Sequence, residues 1–147
     1  MKTISSQPVS NPGTGRGVRH IGQVSYLVIG ALFALAILLQ VFLAGGGIFA
    51  SSSWLVMHRV FGNALSIFPV VLLVLALVAR QSWRKIGLNG LLLVLVVLQG
   101  ILITVPTSIG LPLLEALHPV NALIIFGLGL ALLYTAWQDM QHSREQA

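Results

Sequence analysis

Residues 54–79 read WLVMHRVFGNALSIFPVVLLVLALVA, an apolar stretch interrupted by the pair His58 and Arg59. A hydrocarbon core about 30 Å thick is crossed by a helix of about 20 apolar residues, so this stretch is long enough to span a membrane. Unpaired backbone amides are costly in lipid, so we expect a helix. Three further apolar stretches predict helical spans at 22–44, 87–105 and 113–137.

The composition excludes an ordinary soluble protein. Of the 147 residues, 56% are hydrophobic and 7% are charged, whereas soluble domains carry about 25% charged residues. The absence of cysteine excludes disulfides, iron–sulfur clusters, thiolate metal sites and c-type haem attachment. The net charge of +5 does not indicate a nucleic-acid partner, because the basic residues are spread around the ends of the apolar stretches. The lipid bilayer is the expected partner.

The basic residues predict the topology. Short cytoplasmic loops carry an excess of Lys and Arg, whereas the connections at 45–53 and 106–112 carry no charge and are expected to be external. Seven basic residues fall on the other side: Lys2, Arg16, Arg19, Arg80, Arg84, Lys85 and Arg144. We therefore expect a disordered cytoplasmic tail at 1–20, a transmembrane domain at 21–138 and a second tail at 139–147. Both termini would be cytoplasmic, in a cell (inner) membrane.

The second half of the chain repeats features of the first. Gln40 and His58 are followed 59 and 60 residues later by Gln99 and His118. A short run also recurs with a two-position shift, as Asn63-Ala64-Leu65 and Asn121-Ala122-Leu123. Two hairpins of the same orientation imply a pseudo-two-fold axis along the membrane normal. The expected fold is all-α, an antiparallel four-helix bundle made of two repeated helical hairpins.

This repeat places His58 and His118 at nearly equal depth, across the bundle from each other. Ionisable side chains inside a membrane are rare, and they usually face the bundle interior. Haem iron takes neutral imidazole nitrogen as an axial ligand, and bundles hold such groups between facing helices. The pair therefore predicts a metal site in which His58 and His118 bind one b-type haem.

The neighbours of the histidines have two interpretations each. Small residues stand four positions after each histidine, at Gly62 and Ala122. They would either leave room for a porphyrin or allow close helix packing. Arg59 pairs with a haem propionate or extends to lipid headgroups. Gln40 and Gln99 form hydrogen bonds around the site or simply bond across helices.

Glu115 lies three residues before His118, which places the two side chains on one face if both are helical. There the carboxylate would orient the imidazole or relay a proton. The alternative is an interfacial acid in water, because Pro119 favours a helix that begins at the proline itself. His20 and His142 near the predicted tails are expected to be solvated.

The run His58-Arg59-x-x-Gly62, with a second histidine at matching depth, resembles one four-helix half of haem A synthase over about residues 22–137. In that family each half holds a haem between histidines of its second and fourth helices, which implies axial ligation by His58 and His118. The run His118-Pro119-Val120-Asn121-Ala122 is also similar to one in small bacterial four-helix membrane proteins. The family's catalytic glutamate corresponds here to Leu55, and its cysteine pair is absent.

The sequence thus predicts a cytochrome-like membrane protein that binds one haem b near the outer face. Its function would be electron transfer to or from a quinol or a redox partner protein, or the handling of haem. One alternative is a cofactor-free structural or accessory subunit whose histidines form hydrogen bonds across helices. Another is an enzyme that modifies haem or a quinone, acting as a homodimer that restores an eight-helix arrangement.

Overall fold

A computed structural model describes residues 12–145 of the chain. These residues form α1 (Pro12–Phe49), α2 (Ser53–Leu65), α3 (Ile67–Val78), α4 (Trp83–Ser108), a 3-10 helix (Pro112–Ala116) and α5 (Leu117–Glu145). Within them, four helical segments are long and apolar enough to cross a membrane: Gly17–Phe49, Ser53–Val78, Trp83–Pro106 and Leu113–Ser143. The chain is therefore an all-helical, multi-pass membrane protein.

The helices at both ends extend beyond the predicted spans. α1 begins at Pro12, and proline is well tolerated in the first turn of a helix. Residues 12–20, which the sequence analysis assigns to a tail, are helical in the structure, while residues 1–11 lie outside the described residues. α5 likewise continues to Glu145 through most of the second predicted tail. Extending an existing helix adds a hydrogen bond for each residue fixed, so a helix can continue past its apolar part.

The second span is interrupted at Ser66. The sequence predicts a kink caused by Pro69, which lacks an N–H group and crowds the carbonyl four residues before it. That carbonyl belongs to Leu65, which is the residue at which α2 ends, and α3 begins at Ile67. The Ser66 hydroxyl donates a hydrogen bond of 2.6 Å to the Asn63 carbonyl. The proline thus divides the span into two short helices.

Buried apolar side chains concentrate in one half of the structure, which we call the core half. They form one cluster: Tyr26, Phe33, Ile37, Leu65, Leu72, Ala76, Leu92, Ile125, Leu132 and Ala136. The other half, residues 40–64 and 93–122, contains both His58 and His118, and we call it the histidine half. Here no residue of α2 before Leu65 is buried, and none is buried in α4 between residues 93 and 105. Buried residues of this half include Leu43 in α1, Pro106 in α4 and Asn121 in α5, so α2 and the middle of α4 are its sparsely buried parts.

The helix contacts explain this difference. α1 packs against α2, α3 and α5, and α4 packs against α3 and α5. Among the described residues, no Cα atom of α2 lies within 8 Å of a Cα atom of α4 or α5. Close-packed helices have axes 8–10 Å apart, so α2 is not packed against either helix. We call the space between α2 and the α4 and α5 pair in the histidine half, in which the rings of His58 and His118 lie, the gap.

Polar contacts join the helices of the core half. The Tyr26 hydroxyl, 1% exposed, donates a 3.0 Å hydrogen bond to Oδ1 of Asn89, which is 0% exposed. Asn89 Nδ2 donates in turn to the Lys85 carbonyl at 2.9 Å. Lys85 Nζ lies 2.5 Å from Oδ2 of Asp139 and donates to the Thr135 carbonyl at 3.1 Å. This network links α1, α4 and α5 at the end of the structure away from the histidines.

We expect Tyr26→Phe to lower the free energy of unfolding by about 1 kcal/mol, because it leaves the buried Asn89 Oδ1 without its donor. Denaturation of the purified protein in detergent measures the effect. Tyr134→Phe is the matched control, since Tyr134 is 57% exposed and outside this network. Equal stability of the two variants would contradict a contribution from the Tyr26 hydrogen bond.

Candidate functional site

His58 and His118 come together in the histidine half. Their ring centroids are 6.3 Å apart and their ring planes make an angle of 65°. Both side chains are partly buried. α2 carries one ring and α5 carries the other, so the two histidines face each other across the gap between these helices.

Both imidazoles are oriented in the same way. Nδ1 of His58 lies 3.0 Å from the backbone oxygen of Gln40, and Nδ1 of His118 lies 3.1 Å from that of Gln99. A carbonyl oxygen only accepts hydrogen bonds, so Nδ1 carries the proton in each ring. The neutral ring then keeps its free electron pair on Nε2, the nitrogen available to a metal.

The two glutamine side chains complete these contacts. Gln40 Nε2 donates to the His58 carbonyl at 2.7 Å, and Gln99 Nε2 donates to the His118 carbonyl at 2.9 Å. Each Gln–His pair therefore shares two hydrogen bonds, one from the imidazole and one from the amide. We call these pairs the Gln–His clamps. They join α1 to α2 and α4 to α5, and they fix the tautomer and position of both rings.

Asn121 adds a contact that the sequence analysis missed. Its side chain is 5% exposed, and Nδ2 donates to Gln99 Oε1 at 2.5 Å and to the Leu95 carbonyl at 2.9 Å. The available signal was a polar residue in an apolar span, one turn after His118. Asn63, its partner in the recurring sequence run, is exposed. The two runs therefore do not occupy equivalent places.

Gly62 lies against the first clamp. A Cβ atom at this position would be 2.5 Å from Gln40 Nε2. A side chain at this position would therefore require the Gln40 amide to shift. Ala122, at the matching position after His118, is partly buried. That these small residues also leave room for a porphyrin stays a prediction.

The two charged candidates lie next to the histidines in the chain. Arg59 follows His58 in α2, and its side chain is exposed. Glu115 is partly buried and lies in the 3-10 helix, whereas His118 lies in α5. The helical chain is continuous from Glu115 into α5, and side chains three residues apart share a face in a 3-10 turn as well, so the interpretation in which Glu115 and His118 share a face stays a prediction. α5 begins at Leu117, two residues before the proline that the sequence suggested as its start.

The donor set fits a haem iron. A structural zinc site takes four protein ligands, whereas a porphyrin supplies four nitrogens and needs only two axial groups from the protein. Within residues 12–145, no cluster of three or more His, Asp or Glu residues is placed to hold a metal ion. His20 and His142 are exposed, and Nδ1 of His142 lies 2.8 Å from the Gln138 carbonyl.

The separation of the rings also fits a shared metal ion. A metal–imidazole bond is about 2.0 Å long, and the ring centroid lies about 1.1 Å behind the bonded nitrogen, so two imidazoles on opposite sides of one ion have centroids about 6 Å apart. The observed value is 6.3 Å. Each ring can rotate about its metal–nitrogen bond, so an angle of 65° between the planes is compatible with this arrangement.

Part of the chain is similar to a protein family. Residues 40–105 match the model of a family of unknown function, DUF6220. The match extends from Gln40 in α1 to Val105 in α4, and it contains His58 and Gln99 but not His118. Comparisons with curated proteins and with solved structures found no significant match. The similarity to DUF6220 covers less than half of the chain and includes the complete first clamp.

Proposed function

We propose that this protein is a cytochrome-like membrane protein that binds one haem b between His58 and His118, for electron transfer or haem handling. The observation that carries the proposal is the pair of clamped imidazoles with Nε2 free and centroids 6.3 Å apart. When bound, the haem supplies one-electron chemistry at its iron. The chain's own residues orient the ligands, hold them at a fixed separation and surround the group with apolar side chains.

The sparse burial of α2 and of the middle of α4 supports this proposal. α2 has no buried residue before Leu65, and α4 has none between residues 93 and 105. A planar macrocycle held by the two rings would lie in the gap between α2 and the α4 and α5 pair. Contact with the macrocycle would add packing that the protein's own side chains do not provide there.

The proposal includes a topology. The four spans would form an antiparallel bundle of two repeated hairpins, each holding one Gln–His clamp, with both termini cytoplasmic and the histidine half towards the outer face of the cell membrane. The matching hydrogen bonds of the two clamps support this repeat. Arg59 would pair with a propionate at the outer face. A quinol in the same membrane would be a suitable partner for electron transfer.

A visible absorption spectrum tests the proposal. The protein is produced with a haem supply, purified in detergent and reduced. We expect a Soret band and sharp alpha and beta bands typical of a low-spin bis-histidine haem. A colourless preparation with intact helical content by circular dichroism would refute the proposal and favour the cofactor-free subunit. The clamps themselves supply an observation for that alternative, since their hydrogen bonds do not require a ligand.

A further inference from the structure

The two clamps differ in one contact. Gln99 is fully bonded, because its Nε2 donates to His118 and its Oε1 accepts from Asn121. Gln40 Nε2 donates to His58, but Gln40 Oε1 is buried without a hydrogen-bond partner among the described residues. A buried acceptor without a donor costs free energy, so the first clamp is the weaker of the two.

The residue of α2 that corresponds in position to Asn121 is Phe61. It lies three residues after His58, as Asn121 lies three residues after His118. A Cβ atom at the next residue, Gly62, would be 4.0 Å from Gln40 Oε1, so this turn of α2 passes close to the unpaired oxygen. A phenyl ring has no hydrogen to donate, and Phe61 instead packs against the buried cluster of the core half.

The helices that carry the histidines also differ in their support. α5 packs against α1, α4 and the 3-10 helix, whereas α2 packs against α1 and makes a few contacts with α3. α2 is a short helix with one buried residue, Leu65, and the Ser52 side chain provides no hydrogen bond at its start. Segments with few buried contacts open at lower free energy than well-packed ones. Moving His58 away from the gap therefore disrupts less packing than moving His118.

We infer that the two axial positions are unequal, with His118 the fixed ligand and His58 the exchangeable one, so that a small neutral ligand binds the iron in place of His58. This inference rests on the proposed haem. It adds a binding activity for diatomic molecules, with access on the α2 side of the gap. Three features make His58 the exchangeable ligand: the unpaired Gln40 Oε1, Phe61 and the sparse packing of α2.

Titration of the reduced, haem-loaded protein with carbon monoxide tests the inference. We expect the unmodified protein to bind carbon monoxide in place of His58, so that its bis-histidine spectrum is replaced by that of a carbon monoxide complex. Phe61→Asn should supply Gln40 Oε1 with a donor, as Asn121 does for Gln99, and weaken carbon monoxide binding by roughly tenfold. Phe61→Leu also removes the ring but adds no donor, so it should not show the weakening expected of Phe61→Asn. Equal affinities in Phe61→Asn and Phe61→Leu would overturn the role of Gln40.

A second measurement does not depend on the folding of the Phe61 variants. We expect His58→Ala to retain five-coordinate haem on His118, and His118→Ala to retain several-fold less haem after gel filtration. Two results would overturn the inequality of the axial positions and leave the proposed haem intact. One is equal haem retention by His58→Ala and His118→Ala, and the other is a six-coordinate protein that does not react with carbon monoxide. A protein without any haem spectrum would instead refute the proposed function and this inference together.

Discussion

Replacement of His58 or His118 by alanine is expected to abolish the low-spin six-coordinate spectrum of the haem-loaded protein. The Nδ1 contacts leave Nε2 of each imidazole available as a ligand. The other histidines of residues 12–145, His20 and His142, lie outside this pair. Loss of either ring therefore leaves one axial position without a protein ligand. The reduced alpha band and the electron paramagnetic resonance of the oxidised protein both report this change.

His20→Ala and His142→Ala are the matched controls for these two substitutions. Both side chains are exposed, and they lie on parts of α1 and α5 outside the histidine half. They remove the same chemical group, so a general effect of losing an imidazole would appear in all four variants. An unchanged low-spin spectrum in His58→Ala or His118→Ala would contradict ligation by that residue.

The sequence predicted the spans because lipid imposes a strong and simple constraint. A run of about 20 apolar residues has few structures other than a helix in a membrane, and Pro69 marked the place of the break. The sequence was less informative about helix ends, since α1 and α5 continue into polar residues at 12–20 and 139–145. Polar residues near a span are compatible with either helix or tail, so composition alone did not distinguish them.

The pairing of the histidines could be inferred from spacing, but their environment could not. The offsets of Gln40, His58, Gln99 and His118 suggested two similar hairpins, and the structure gives both pairs the same hydrogen bonds. The atoms that form these hydrogen bonds depend on side-chain rotamers and on the approach of neighbouring helices. Neither can be deduced from the sequence spacing. For this reason Asn121 was noticed only as part of a recurring run, and that run proved not to be equivalent in the structure.

Gly62→Ala is expected to destabilise the histidine half, because the added Cβ would lie 2.5 Å from Gln40 Nε2. The amide must move, and the hydrogen bond from Gln40 to the His58 carbonyl is then lost or lengthened. Alanine is favoured over glycine in a helix by up to about 1 kcal/mol, so a purely local effect would stabilise α2. We expect instead a net loss of about 1 kcal/mol, because the flexible amide can move away from the added Cβ only by giving up its hydrogen bond to His58.

Gly100→Ala is a control for which we expect the opposite change in stability, or none. Gly100 lies next to Gln99 in α4, but a Cβ atom there would have no neighbour within 4 Å. Helix propensity alone then acts, and this variant should be as stable as the unmodified protein or slightly more stable. Thermal unfolding followed by circular dichroism compares the three proteins, and haem content after purification gives a second readout. If Gly62→Ala raised the stability as Gly100→Ala is expected to do, the Gln40 amide would not depend on the space beside Gly62, and the first clamp would not hold His58 in the way described.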